Sequence, residues 1–247
     1  MYPNVNVLRR DVGRRLRRGE HMVLYGPCGS GKSTLLADLE TRLTGASIPC
    51  ARAAATHSID DITRALEQVY PAVDAPEVPR RTVQPRLWEA ADLQGTVLLL
   101  DHLTDISNAM VRFLRRLRGG IVGVLTAVDI EVEHERRRMK PWRLGALTMR
   151  MPPVADALLR ELLQARCADL HVPLPGPDAE RQLVRVARGR PGWILKCVEL
   201  QTQGHYWQGE QLFVSVLSSD TEIALRQLAL SMMPSDEPMD PSDDVYS

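Results

Sequence analysis

Residues 22–36 read MVLYGPCGSGKSTLL, and no other stretch limits so tightly what this chain can fold into. Val23, Leu24 and Tyr25 form a short apolar run. Gly26 to Ser33 then fit G-x-x-x-x-G-K-[ST] at every fixed position, and Leu35 and Leu36 open a helical pattern. The motif therefore lies between a strand and a helix, the context in which it has meaning. Gly26, Gly29 and Gly31 allow the backbone to turn around an anion without Cβ clashes. The loop Gly26-Pro27-Cys28-Gly29-Ser30-Gly31 and the helix start Lys32-Ser33-Thr34 then turn N–H groups and the positive helix end toward phosphates. Lys32 adds a point charge at the β- and γ-phosphates, and the Ser33 hydroxyl is a ligand for Mg²⁺. Residues of these types at this spacing read as a nucleotide-binding P-loop.

Composition bounds the rest. A length of 247 residues suits one large domain, or a core with a small appendage, and the formal net charge is zero. Cys28, Cys50, Cys167 and Cys197 form no C-x-x-C pair, so neither a disulfide framework nor a zinc site is expected. No apolar run is long enough to cross a membrane, and no secretory segment opens the sequence. A cytoplasmic protein without a membrane partner is the expectation. All but three of the 31 basic residues are arginine.

Before the P-loop, Val5, Val7, Leu8, Val12 and Leu16 make one apolar face of a helix that ends near Gly19. Arg9, Arg10, Arg14, Arg15, Arg17 and Arg18 cover the remainder. These arginines are either a solvated face or a contact for DNA backbone phosphates or another subunit. After it, Leu35, Leu36, Leu39 and Leu43 continue a helix that Gly45 stops, and Ile48 to Ala55 read as a second strand. Ser58 and Asp61 have the spacing of a capping box for a helix carrying Ile62 and Leu66. A proline-rich surface loop over 71–85 and a short helix around Arg86 to Ala91 follow.

Thr96 to Asp101 is the second informative stretch. An unbroken apolar run ending in an acid suits a central parallel strand, with Asp101 at its carboxyl edge facing the P-loop, where it would hold Mg²⁺ through water. The next residue is His102, whose imidazole accepts a proton near neutral pH but reaches less far than a glutamate and can be cationic. Its imidazole either positions a water, or the protein hydrolyses slowly and works as a switch. A helix from about Ser107 and a strand from Ile121 to Thr126 come next. Thr126 either reaches the γ-phosphate or caps a loop. Arg136, Arg137 and Arg138 lie in a basic segment before a last strand over 146–151. Strands alternating with helices predict an α/β fold, a P-loop parallel sheet sandwiched by helices, over residues 1–151. From Val154 the pattern is all-helical, a small lid over 152–203 in which Gly189-Arg190-Pro191-Gly192 forms a tight turn. Residues 204–231 are an extension of uncertain fold, and 232–247 read as a disordered acidic tail.

The order of these features resembles AAA+ ATPases, in particular the branch shared by initiator-type and STAND-type proteins. The likeness runs from Val7 to Gln203. It rests on Gly26 to Ser33 as Walker A, Leu98 to Asp101 as Walker B, Thr126 at the sensor 1 position and Gly189-Arg190-Pro191 as the G-x-P turn. It implies ATP and Mg²⁺ as cofactors, with Pro191 against the nucleotide, and a homo-oligomer or AAA+-like assembly. A neighbour's γ-phosphate would receive an arginine, for which Arg138 is the candidate. Such a cation is worth ~10³–10⁵ in rate. His102 in place of the acid, and Gly192 where relatives carry a sensor 2 arginine, depart from the pattern. Two functions remain open at this point: an ATPase acting on DNA or a protein partner, and a hydrolysis-poor nucleotide-gated interaction switch. An ABC transport ATPase lacks support because no L-S-G-G-Q-like signature precedes Asp101, and nothing favours a small-molecule kinase.

Overall fold

The structure is a computed structural model and describes residues 4–56, 58–71, 86, 89, 95–103, 110, 123–129, 146–209 and 211–231. Most of the helix expected from Ser107, the segment Arg136–Arg138, most of the proline-rich stretch and the acidic tail lie outside the described residues.

Five parallel strands make the central sheet, in the order β2 (Cys50–Ala53), β3 (Val97–Leu100), β4 (Gly123–Asp129), β1 (His21–Gly26), β5 (Leu147–Arg150). Because all run the same way, their carboxyl ends share one edge, where ligands of open parallel sheets bind. Strand alternation assigns side chains to the two faces. Val97, Leu99, Leu125 and Met22 pack on α1 (Val5–Leu16) and α2 (Lys32–Gly45). Leu98, Leu100 and Val124 pack on α3 (Ile59–Val69). Val97 to Leu100 are all buried, as expected of a strand covered on both faces.

The helices form for reasons visible in their residues. In α1, Leu8, Val12 and Leu16 recur every four positions and are buried, while Asn4 caps the start by accepting the Val7 N–H at 3.0 Å. In α2, Leu35, Leu36, Leu39 and Leu43 are all buried, each contributing roughly 1.5–3 kcal/mol. Ser58 and Asp61 form the expected capping box of α3. The Ser58 N–H donates to the Asp61 carboxylate at 2.9 Å, and the Asp61 N–H donates back to the Ser58 hydroxyl at 3.3 Å.

Beyond β5 come α4 (Asp156–Leu170), α5 (Pro177–Ala187) and α6 (Pro191–Gln201). A two-stranded hairpin, β6 (Trp207–Gln208) with β7 (Gln211–Leu212), and α7 (Val214–Ser231) follow. One cluster joins Leu159, Leu163, Trp193 and Ile194 to Tyr206, Leu212, Leu217 and Leu225, so the hairpin and α7 share a core with α4 to α6. Among the described residues no helix is long and apolar enough to cross a membrane.

Candidate functional site

The P-loop leaves β1 at Gly26 and enters α2 at Lys32. Gly29 and Gly31 have φ of 78° and 92°, left-handed values that side-chain-bearing residues avoid. The Ser30 N–H donates to the Pro27 carbonyl at 3.2 Å and closes the loop. The Lys32 ammonium is buried within it and donates to the carbonyls of Gly26 at 2.8 Å and Pro27 at 2.9 Å and to the Ser30 hydroxyl at 3.2 Å. Thr34 lies in the first turn of α2.

Asp101 continues β3 past its last paired residue. Its N–H donates to the Ala53 carbonyl at 2.9 Å, its carbonyl accepts the Thr56 N–H at 3.1 Å, and only 1% of its surface is exposed. Two contacts join this strand tip to the P-loop helix. His102, at a left-handed φ of 51°, brings Nε2 to 3.3 Å from the Ser33 hydroxyl, and its backbone N–H donates to Asp101 Oδ1 at 3.1 Å. Arg52, from the adjacent β2, reaches both segments: Nη2 donates to Asp101 Oδ2 at 3.4 Å and to the Ser33 carbonyl at 3.5 Å. The two motifs, 69 positions apart at Ser33 and His102, thus meet at one place on the sheet edge.

Not every expected residue joins them. Val124 packs on the α3 face and Leu125 on the α2 face, so alternation turns Thr126, which is buried, toward the α3 side, opposite the face from which Arg52 reaches Ser33 and Asp101. Sequence reasoning passed over Arg52. The available signal was an arginine interrupting the small, apolar run Cys50 to Ala55. Burial, with the nearby Glu40 carboxylate, pushes the neighbouring Cys50 thiol up to about 12.

The second helical group closes over the loop. The Gly192 N–H donates to the Gly29 carbonyl at 2.8 Å, and a methyl group on Gly192 would stand 2.8 Å from Gly29 Cα. No side chain fits between these backbones, which accounts physically for glycine at a place where arginine was expected. Pro191 lies against Gly31, its Cγ 3.6 Å from where a side chain there would begin. The Cys28 thiol faces the Leu225 carbonyl at 3.6 Å. Arg190 does not turn toward the P-loop. Its guanidinium is buried against α7, pairing with both carboxylate oxygens of Glu222, one at 3.2 Å, and donating to the Ala187 carbonyl at 3.0 Å. Burial alone would raise the Glu222 carboxyl, but the Arg190 hydrogen bonds and charge outweigh it and hold the group below its ordinary value. A cavity of about 930 Å³ opens between Asn4–Asn6, the segment Pro153–Asp156 and Gly189, two residues from Pro191.

Residues 14–130, from the last turns of α1 to the end of β4, match the family model described as an AAA domain. Over these residues the chain is similar to AAA-type P-loop domains. No curated protein matches the sequence. Among solved structures, it is similar to domain III of the Thermotoga maritima replication initiation protein DnaA. The TM-score is 0.51 at 12% identity, over 90% of this chain and 93% of that one. It is similar to the Aeropyrum pernix ORC1 protein in complex with DNA, with a TM-score of 0.54 at 15% identity, over 95% of this chain and 70% of that one. AMPPCP-bound DnaA from Aquifex aeolicus gives 0.50 at 13% identity, and this chain, with 83% of its length aligned, spans 63% of it. At such identities the likeness speaks for the fold.

Proposed function

We propose that the chain is a nucleotide-binding AAA+ module that takes up ATP with Mg²⁺ and couples it to the position of its C-terminal helices or to assembly. The observation that carries this reading is the convergence of the glycine cradle, Lys32, Ser33 and Asp101 at one sheet edge. The donor set fits the group: hydroxyl and carboxylate oxygens are the ligands a hard cation such as Mg²⁺ takes, and the left-handed glycines leave a backbone cradle that a phosphate fills. Ser33 would ligate the metal directly and Asp101 through water. Bound Mg²⁺ would polarise the terminal phosphate, and Lys32 would exchange its carbonyl partners for phosphate oxygens. Pro191 and the Gly192–Gly29 contact make residues 152–203 a lid that senses what the loop holds. The cavity at Asn4–Asn6 is the place proposed for the base.

A second reading, a switch with negligible turnover, draws on a specific observation. The His102 imidazole is directed at the Ser33 hydroxyl, and the residue directly after Asp101 is this histidine and not a carboxylate. As partner, DNA has the support of the fold shared with ORC1, which was solved with DNA. At the N-terminus, however, Arg9 pairs with Asp38 at 3.2 Å, Arg14 with Asp11, and Arg15 with Asp11 and Glu20 at 2.9 and 2.7 Å, while Arg17 donates to the Gly13 carbonyl at 3.1 Å, which leaves Arg10 and Arg18 as the better candidates for backbone phosphates. Arg138, with Arg136 and Arg137, is the proposed trans-acting group of an oligomer. ATP turnover measured with and without duplex DNA across protein concentrations separates these readings. Turnover per subunit that rises with concentration and falls in Arg138→Ala supports the assembling ATPase. Tight binding with no turnover under any condition supports the switch.

A further inference from the structure

Arg52 belongs to none of the motifs that define the site, yet it touches both of them. It stands in a four-residue strand whose other members, Cys50, Ala51 and Ala53, are small and apolar. Besides its contacts with Asp101 Oδ2 and the Ser33 carbonyl, it places Nη1 3.4 Å from Glu40 Oε2 on α2. All three distances lie at the long end for a hydrogen bond, and the Arg52 Nε is buried without a hydrogen-bond partner. The side chain is thus a charge held near several oxygens rather than a fork locked onto one of them. An arginine stays charged under all conditions in which the protein is folded, and burying it uncompensated in a strand is costly.

We infer that Arg52 is a resident cation of the phosphate site: a positioning residue that holds the Asp101 carboxylate and supplies positive charge that a divalent ion would otherwise provide alone. This rests on the nucleotide-binding reading above and deepens it. The ligand class is a nucleoside triphosphate whose binding depends less on a divalent cation than the Ser33–Asp101 pair by itself would make it. The reason is Coulombic. A fixed positive charge beside Asp101 attracts the triphosphate and repels the divalent ion that accompanies it. Asp101 is 1% exposed, so water and salt screen both effects weakly. Glu40 works against Arg52 by neutralising part of its charge. Removing each partner should therefore move divalent dependence in opposite directions, whereas a purely structural tie would be weakened alike by either loss.

The test titrates the full chain with a fluorescent ATP analogue, once with Mg²⁺ and once with excess EDTA, and compares the ratio of the two dissociation constants within each variant. Arg52→Gln should raise the EDTA-to-Mg²⁺ ratio by roughly tenfold, the scale of one partly screened charge pair, and Arg52→Lys should return it toward the parent. Glu40→Gln should lower the ratio, and it decides the matter if Arg52→Gln fails to fold. An unchanged ratio in these variants, or Arg52→Gln and Glu40→Gln shifting it the same way, overturns the inference. A parent chain that binds the analogue in neither buffer overturns the nucleotide reading itself, and the role of Arg52 with it.

Discussion

At position 192 one missing methyl group decides how two parts of the chain meet. Gly192 has room for its N–H to reach the Gly29 carbonyl because nothing projects from its Cα. In Gly192→Ala the added carbon would lie 2.8 Å from Gly29 Cα and 3.0 Å from its carbonyl oxygen, both backbone atoms with little freedom to move. The start of α6 must then back away from the P-loop, at a cost of about 1–3 kcal/mol. Thermal unfolding should show a lower midpoint, and ATP should bind more weakly; a midpoint and affinity equal to the parent's would mean that the contact is not tight. The P-loop glycines, Lys32 and Ser33 were legible in the sequence because a fixed pattern sets their types and spacing, and Asp101 because it ends an unbroken apolar run. Arg52 was not, since a lone arginine in a short strand reads as a solvated side chain until a tertiary fold sets Asp101 and Ser33 beside it. The face of Thr126 was illegible for another reason: with a period of two, one residue of uncertainty in the strand reverses the side to which it points.

Among the elements, α7 was the hardest to read in advance. Its apolar residues alternate between buried Leu217 and Leu225 and exposed Val216, Ile223 and Leu228, which blurs the helical stripe. What fixes it are contacts across long separations, namely Arg190 with Glu222 and the Tyr206 hydroxyl donating to Asp220 at 2.9 Å. By contrast α1, α2 and α3 carried their limits in local signals, a cap, a stripe and a stop. The Arg190–Glu222 tie between α6 and α7 also has a pH signature. Glu222 titrates below its ordinary value in the fold, so it binds fewer protons folded than unfolded, and stability rises with pH through that range. The contribution is in place above the ordinary carboxylate range and is lost as pH falls below it. Denaturant unfolding should find Glu222→Gln less stable than the parent at pH ~7, with the gap closing below pH ~4 as the unfolded-state carboxylate range is crossed. A gap that stays constant with pH would show that the pair contributes no charge-dependent stability.

Over the whole molecule, the alternation of strand and helix made the α/β architecture legible, and parallel strands with their carboxyl ends on one edge follow from it. The likeness to domain III of DnaA and to ORC1 at 12% and 15% identity shows the same layout carried by very different residues. What the sequence left open was how the C-terminal helices sit, because the contacts that seat them, Gly192 on Gly29 and Cys28 beside Leu225, join residues more than 160 positions apart. They rest directly on the P-loop, so a change in the loop has a mechanical route to α6 and α7. The measurement that tests this account most directly is equilibrium binding of ATP with Mg²⁺ to the parent, Lys32→Ala and Asp101→Asn. The parent should bind and each variant should lose ~10–100-fold, since one charge-assisted contact contributes about 1.5–3 kcal/mol. Variants that bind as tightly as the parent would contradict it.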